Sequence, residues 1–236
     1  MTIAGQVEIL DDPEALSVRA AALIAATMNG CAAPFRLCLA GGSTPKATYR
    51  HLGRRNDLPW DCVEIFFGDE RFVPPDHPDS NYRMAKENLL SGVQPRALLA
   101  MPTDGAPENC AEAYEEELRQ QYGASILDPA VPLFDLMLLG LGADGHTASL
   151  IPGQPVLEEM KRWVAAVPKG RDEVRLTLTY PALQSSRLTV FLVAGADKAE
   201  AVAKVRAGDA ALPAGRLKPQ GDVVWLLDRA AAGVHG

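Results

Sequence analysis

Residues 134–151 read FDLMLLGLGADGHTASLI. The first part is an almost unbroken apolar run. It ends in Gly140-Leu141-Gly142-Ala143-Asp144-Gly145, which fits G-x-G-x-x-G letter for letter. An apolar run of this length that stops at glycines reads as a strand covered on both faces, entering a turn at its carboxyl end. The same letters open a dinucleotide-binding unit. That unit needs a long helix behind the third glycine and a second strand ending in an acid about 20 residues on. Pro152 stands seven residues beyond Gly145 and keeps any helix there short. The next strand candidate, WVAAV at 163–167, runs into Pro168 and Lys169 rather than an acid. The dinucleotide reading fails on this context. What is left is Asp144-Gly145-His146-Thr147, an imidazole on a glycine-rich turn beyond a buried strand.

Outward from this segment the pattern repeats. FRLCLA (35–40), VEIFF (63–67), LTVFLVAG (188–195) and VVWLL (223–227) are further apolar runs of strand length. WVAAV and VRLTLTY (174–180) are additional strand candidates; the alternation of the second fits an edge position and antiparallel pairing. Between them lie helical patterns at 12–29, 81–90, 108–123 and 197–208. The first has Asp12 as N-cap and Pro13 in its first turn, and the last two close in glycine. Alternating strands and helices predict a layered α/β fold with right-handed crossovers. The longest irregular stretch, GDERFVPPDHPDS at 68–80, directly follows a strand, and loops of that size are often functional.

The chain has 236 residues, 47% of them hydrophobic, enough for one large domain; we expect a single domain over 1–236. Its formal charge is 23 − 30 = −7, which argues against a nucleic-acid binder but not against a local basic pocket. The start, MTIAGQVEIL, lacks the basic flank and apolar block of a signal peptide, and no run of about 18 apolar residues predicts a membrane span. Cys31, Cys38, Cys62 and Cys110 are scattered, with no C-x-x-C pair. Neither a disulfide framework nor a metal site is expected; Cys38 and Cys62 read as small core residues, and a reducing cytoplasm fits.

In open α/β sheets ligands bind beyond the carboxyl ends of the strands, so the residues after each apolar run carry the chemistry. After 35–40 come Gly41 and Gly42, then Ser43, Thr44 and Pro45. Thr44 fits an N-cap and Pro45 the first helical position. Two readings stay open, an ordinary capped helix and a phosphate cradle of amides and hydroxyls at a helix N-terminus. After 63–67 come Gly68, Asp69, Glu70 and Arg71. Either Arg71 pairs with Asp69 or Glu70 to hold the long loop, or its guanidinium faces an oxyanion or phosphate. After 188–195 comes Lys198, in the first turn of a helix, where a cation opposes the macrodipole. A bound anion explains that placement, and a solvated side chain is the alternative. Imidazole is the side chain whose ordinary pKa suits proton transfer near neutrality, which singles out His146. His51 ends an amphipathic helix, His77 sits in a proline-rich loop, and His235 is in the tail.

Five segments together resemble the glucosamine-6-phosphate isomerase/6-phosphogluconolactonase superfamily. They are LAGGSTPKATY (39–49), FFGDERFVPPDHPDSNYRMAKENLL (66–90), LLGLGADGHTASLIPG (138–153), RLTLTYPAL (175–183) and FLVAGADKAEAV (191–202). The resemblance implies a Rossmann-like three-layer α/β sandwich with a mostly parallel central sheet, the modified fold of the NagB type. It implies no cofactor and hydrolysis of 6-phospho-D-glucono-1,5-lactone to 6-phosphogluconate, the second step of the oxidative pentose phosphate pathway. The isomerases of the superfamily carry an acid five positions beyond the histidine of the D-G-H turn. Ile151 stands there in this chain and cannot exchange protons, so the chain resembles the lactonase branch. The partner expected is a small phosphorylated sugar lactone, with no nucleic acid or membrane, on a monomer or homodimer. In this reading the phosphate sits on Gly41, Gly42, Ser43 and Thr44, and Lys198 or Arg71 neutralises it. His146 activates water, Asp144 orients the imidazole, and Arg71 or the amides of the 142–147 turn hold the oxyanion.

Overall fold

Phe134–Leu139 forms the middle strand of a seven-stranded, wholly parallel sheet. The structure is a computed structural model that describes residues 3, 5–29, 34–170 and 173–234. In chain order the elements begin with β1 (Gln6–Leu10), α1 (Pro13–Asn29), β2 (Phe35–Leu39), α2 (Ser43–Leu52) and β3 (Val63–Phe67). Next come β4 (Asp69–Arg71), α3 (Asn81–Ala85, continued by a π-helical turn over Lys86–Leu90), β5 (Ala97–Leu98), α4 (Pro107–Tyr122) and β6 (Phe134–Leu139). The chain closes with β7 (Val164–Val167), β8 (Arg175–Leu178), α5 (Tyr180–Leu183), β9 (Ser186–Val193), α6 (Ala199–Arg206) and β10 (Asp222–Asp228).

The large sheet runs β1-β10-β9-β6-β2-β3-β5. Its inner strands are apolar on both faces because both are covered. Leu37, Ile65, Leu136, Met137, Val190 and Trp225 are fully buried. Each such side chain contributes about 1.5–3 kcal/mol by leaving water. Phe66 meets Phe134 edge-on at 5.4 Å, and Phe191 stacks on Trp225 at 4.0 Å. α1 packs on α2 and β10, and α4 on β7 and β8. This is the α/β fold expected, and the run of strands predicted at 35–40, 63–67, 134–140, 188–195 and 223–227 is present within a residue or two of each limit.

The second sheet is small and antiparallel, β4-β8-β7. The antiparallel expectation for 174–180 holds, but β8 is the middle strand here, not an edge. The chain changes sheets at Gly68. Its N–H donates to Leu39 O in the large sheet at 2.9 Å, and its carbonyl accepts from Leu178 N in the small one at 2.8 Å. β4 lies hidden in what the sequence reads as a loop, because three consecutive charges argue against a strand.

Asp12 caps α1 as expected, accepting from Ala15 N at 2.8 Å. The 197–208 helix is split, with a 3-10 turn over Ala196–Lys198 preceding α6. Cys38 and Cys110 are buried and Cys62 partly so, all three free. Burial pushes the Cys38 thiol up, as for an inert core residue. Cys31 and His235 lie outside the described residues.

Candidate active site

Four adjacent parallel strands, β9, β6, β2 and β3, bring their carboxyl ends to one cavity of about 250 Å³. The order reverses around β6 and β2, so the cavity occupies the crevice where a doubly wound sheet binds ligands. Gly41, Gly42, Ser43, Thr44, Arg71, His146 and Lys198 all line it. Residues spread over more than 150 positions of sequence thus meet in one place. Asp144 does not line the cavity and reaches it through His146.

The turn after β2 ends in the N-terminus of α2. The helix starts at Ser43, with Gly42 at φ +110° in the capping position. Thr44 is therefore inside the first turn rather than its cap, and Pro45 is third rather than first. The helix gains two residues because Gly42 takes up the non-helical conformation, and Pro45 sits where an N–H would have no intrahelical partner anyway. Among the described residues no side chain caps this helix. Its first turn borders the cavity, which places the positive end of the macrodipole there. A side chain at Gly41 would collide with the amide group of Asn81.

The turn after β6 is held by its own backbone. Gly142 N donates to His146 O and Gly145 N to Gly142 O, both at 2.9 Å. Thr147 Oγ1 donates to Gly140 O at 2.8 Å. His146 Nδ1 lies 2.5 Å from Asp144 Oδ1, which also accepts from His146 N at 3.2 Å. A Cβ at Gly142 would occupy the place of the imidazole and the carboxylate, so this glycine makes room for the pair. Gly145 has φ +78°, and Ala148 at φ +47° is the one non-glycine described with positive φ. The glycines that imitate a dinucleotide fingerprint thus shape a tight turn around a histidine. No long helix comes after them.

Neither ion pair expected for Arg71 forms among the described residues. Glu70 instead accepts from Asn81 N, Tyr82 N and Arg71 N, each at 2.7 Å, and from Ser80 Oγ at 3.1 Å. It is a carboxylate cap on α3, delivered from a neighbouring strand. Burial pushes its carboxyl up, against the opposing pull of those three N–H donors and with a push from Asp69. Asp69 pairs with Arg175, at 4.0 Å, and accepts from Ser149 Oγ at 2.7 Å. The Arg71 guanidinium donates to Asp79 O at 2.5 Å and borders the cavity.

Asp69, read from the sequence as a possible partner of Arg71, also lines the cavity, as do Arg175 and Asn81, to which sequence reasoning gives no role. One signal is present: Arg175 opens an alternating strand that is otherwise apolar or hydroxylic. Lys198 closes the 3-10 turn, lines the cavity, and its Nζ lies 2.7 Å from Asp197 Oδ2. Among the described residues three cations, Arg71, Arg175 and Lys198, therefore border one cavity in a chain of net charge −7. Ser149 is fully buried and bonded to Asp69, so it has no approach to a ligand. His51 bonds Glu14 at 2.8 Å and His77 accepts from Asp79 N at 3.2 Å, both away from the cavity. No helix among the described residues is long and apolar enough to cross a membrane.

A family model described as glucosamine-6-phosphate isomerases/6-phosphogluconolactonase matches residues 11–225. The chain is 41% identical over 238 residues to a 6-phosphogluconolactonase of Synechocystis sp., covering 97% of this chain and 98% of that protein. Its fold superposes with TM-score 0.87 on the 6-phosphogluconolactonase from Trypanosoma cruzi, at 29% identity, over 99% of this chain and 97% of the other. A monomeric glucosamine-6-phosphate deaminase superposes with TM-score 0.80 at 25% identity, over 98% of this chain and all of that one.

Proposed function

The chain belongs to the glucosamine-6-phosphate isomerase/6-phosphogluconolactonase family, and on that premise we propose that it hydrolyses 6-phospho-D-glucono-1,5-lactone to 6-phosphogluconate. The observation that carries the reading is the meeting of an uncapped helix N-terminus, three cations and a carboxylate-held imidazole in one cavity. The phosphate sits on the Gly41–Thr44 turn, taking the first-turn amides of α2 and the Ser43 and Thr44 hydroxyls. Lys198 supplies the counter-charge.

His146 is the general base. With Asp144 accepting from Nδ1, the neutral imidazole carries its lone pair on Nε2. That nitrogen takes a proton from water as the water oxygen bonds to C1, and the carbonyl electrons move onto oxygen. Arg71 faces this oxyanion. The amides of Gly142, Gly145 and His146 are weaker candidates, since each already donates within the turn. Collapse breaks the bond from C1 to the ring oxygen, and the imidazolium returns its proton to that oxygen. The acid product then loses its proton to solvent. General base catalysis is worth about 10²–10⁴-fold, adequate for an ester that already reacts with water. This scheme uses no cofactor.

Fold similarity to a deaminase keeps an amino-sugar phosphate activity as the competing reading. Ile151, five positions beyond His146 where the isomerases carry an acid, is buried and cannot exchange protons, which weighs against it. The substrate is a small molecule, and the scattered free thiols suit a cytoplasmic enzyme acting as a monomer or homodimer. The test is 6-phosphogluconate formation from the phosphorylated lactone, measured above the spontaneous rate. A rate equal to background, or ammonia released from glucosamine 6-phosphate, overturns the proposal.

A further inference from the structure

The carboxyl ends of β2 and β3 are each closed by a buried phenol. Tyr49, on α2, accepts from Ala40 N at 2.9 Å and donates to Ala40 O at 2.8 Å. Tyr114, on α4, treats Phe67 the same way, at 3.0 and 3.3 Å. In both places the ladder to a neighbouring strand has ended. β2 pairs with β6 no further than Cys38↔Met137, while β6 continues beside β9 to Leu139↔Phe191. β3 pairs with β5 no further than Ile65↔Leu98. Phe67 is buried and Ala40 partly so, and each, standing beyond its last ladder partner, leaves an N–H and a C=O without a backbone partner. One hydroxyl, donor and acceptor at once, answers both. Burial pushes both phenols up, so each keeps the proton it donates.

The two held residues differ in where they lead. Ala40 lines the cavity and runs straight into Gly41, Gly42, Ser43 and Thr44. Tyr49 does not line the cavity, but it stands on the helix whose N-terminus does. Strand end, turn, helix and phenol therefore form a closed ring, which fixes the distance between Ala40 and the first turn of α2.

We propose that Tyr49 is a positioning residue for the phosphate arm of the substrate, its hydroxyl tying the end of β2 to α2 and holding the Gly41–Thr44 turn open for that group. The inference rests on the phosphate reading of this turn. Tyr49 touches no reacting atom, so its effect falls on binding and not on the step at C1.

The experiment compares hydrolysis of the phosphorylated lactone with that of glucono-1,5-lactone, which lacks the phosphate, by the wild type and by Tyr49→Phe. For the phosphorylated lactone, KM rises about tenfold and kcat stays within about twofold, as loss of a buried donor and acceptor acting on binding requires. For the unphosphorylated lactone neither constant moves. An unchanged KM for the phosphorylated lactone overturns the inference alone, and so does an equal loss on both substrates, which marks general loosening. A wild type that does not favour the phosphorylated lactone overturns the phosphate reading and this inference with it. Amide hydrogen exchange on the wild type gives a check that needs no variant. The Ala40 amide, bonded to the Tyr49 hydroxyl, exchanges slowly in the folded protein, and unprotected exchange there rules the tie out.

Discussion

The turns after β2 and β6 leave the same sheet side by side, yet they are built in opposite ways. The turn at 140–148 spends its amides on itself: Gly142, Gly145 and His146 all donate within it, and Thr147 bonds back to Gly140. It offers the cavity a side chain on a rigid mount. The turn at 41–44 does the reverse. Its helix is uncapped, and what it presents is backbone and two small hydroxyls. A reacting group needs a fixed direction, which an internally bonded turn gives. A tetrahedral dianion needs many donors at once, which a helix N-terminus gives. The contrast predicts that damage to the first turn falls on kcat and damage to the second on KM.

Four substitutions test that division, from the largest effect down. His146→Ala lowers kcat at least about 100-fold with little change in KM, because the lost interaction belongs to the transition state. Steady-state kinetics that return a near-wild-type kcat remove His146 from the chemistry. Gly142→Ala places a methyl group where the imidazole and Asp144 now stand, and kcat falls about thirtyfold through misorientation of the base. If the variant folds and keeps its kcat, the pair is not held as described. Lys198→Ala raises KM for the phosphorylated lactone about tenfold, as expected for a charge-assisted contact. An unchanged KM moves the phosphate elsewhere in the cavity. Thr44→Ala raises KM about threefold, the scale of one neutral hydrogen bond. A fall in kcat with KM unchanged would erase the distinction between the turns.

The inner strands and the cavity turns are legible in the sequence because buried parallel strands write themselves as apolar runs, and ligands gather where those runs end. His146, Ser43 and Lys198 can be placed at one rim from the sequence alone, since each closely follows a strand. Less can be read where structure depends on a distant partner. β1 is an edge strand of mixed polarity, and Gln6 and Glu8 break its apolar signal. β4 is three charged residues, and the burial of Asp69 and Glu70 makes sense only beside Arg175 and the N-terminus of α3. The pairing of Asp69 with Arg175, and not with Arg71 two positions away, spans more than 100 residues and has no local signature. Thr44 departs from its expected position for the opposite reason. Local capping rules favour threonine, but Gly42 at φ +110° takes the role and frees the hydroxyl for the cavity.

The central claim is that one cavity holds both ends of a phosphorylated sugar acid, the phosphate on the turn after β2 and C1 beside the turn after β6. A crystal structure with 6-phosphogluconate bound reads both ends at once. The account predicts phosphate oxygens within hydrogen-bonding distance of the Ser43 and Thr44 amides, and the C1 carboxylate about 3 Å from the His146 imidazole or one water away. A sugar lying the other way round, with its phosphate against His146, or bound outside this cavity, contradicts it.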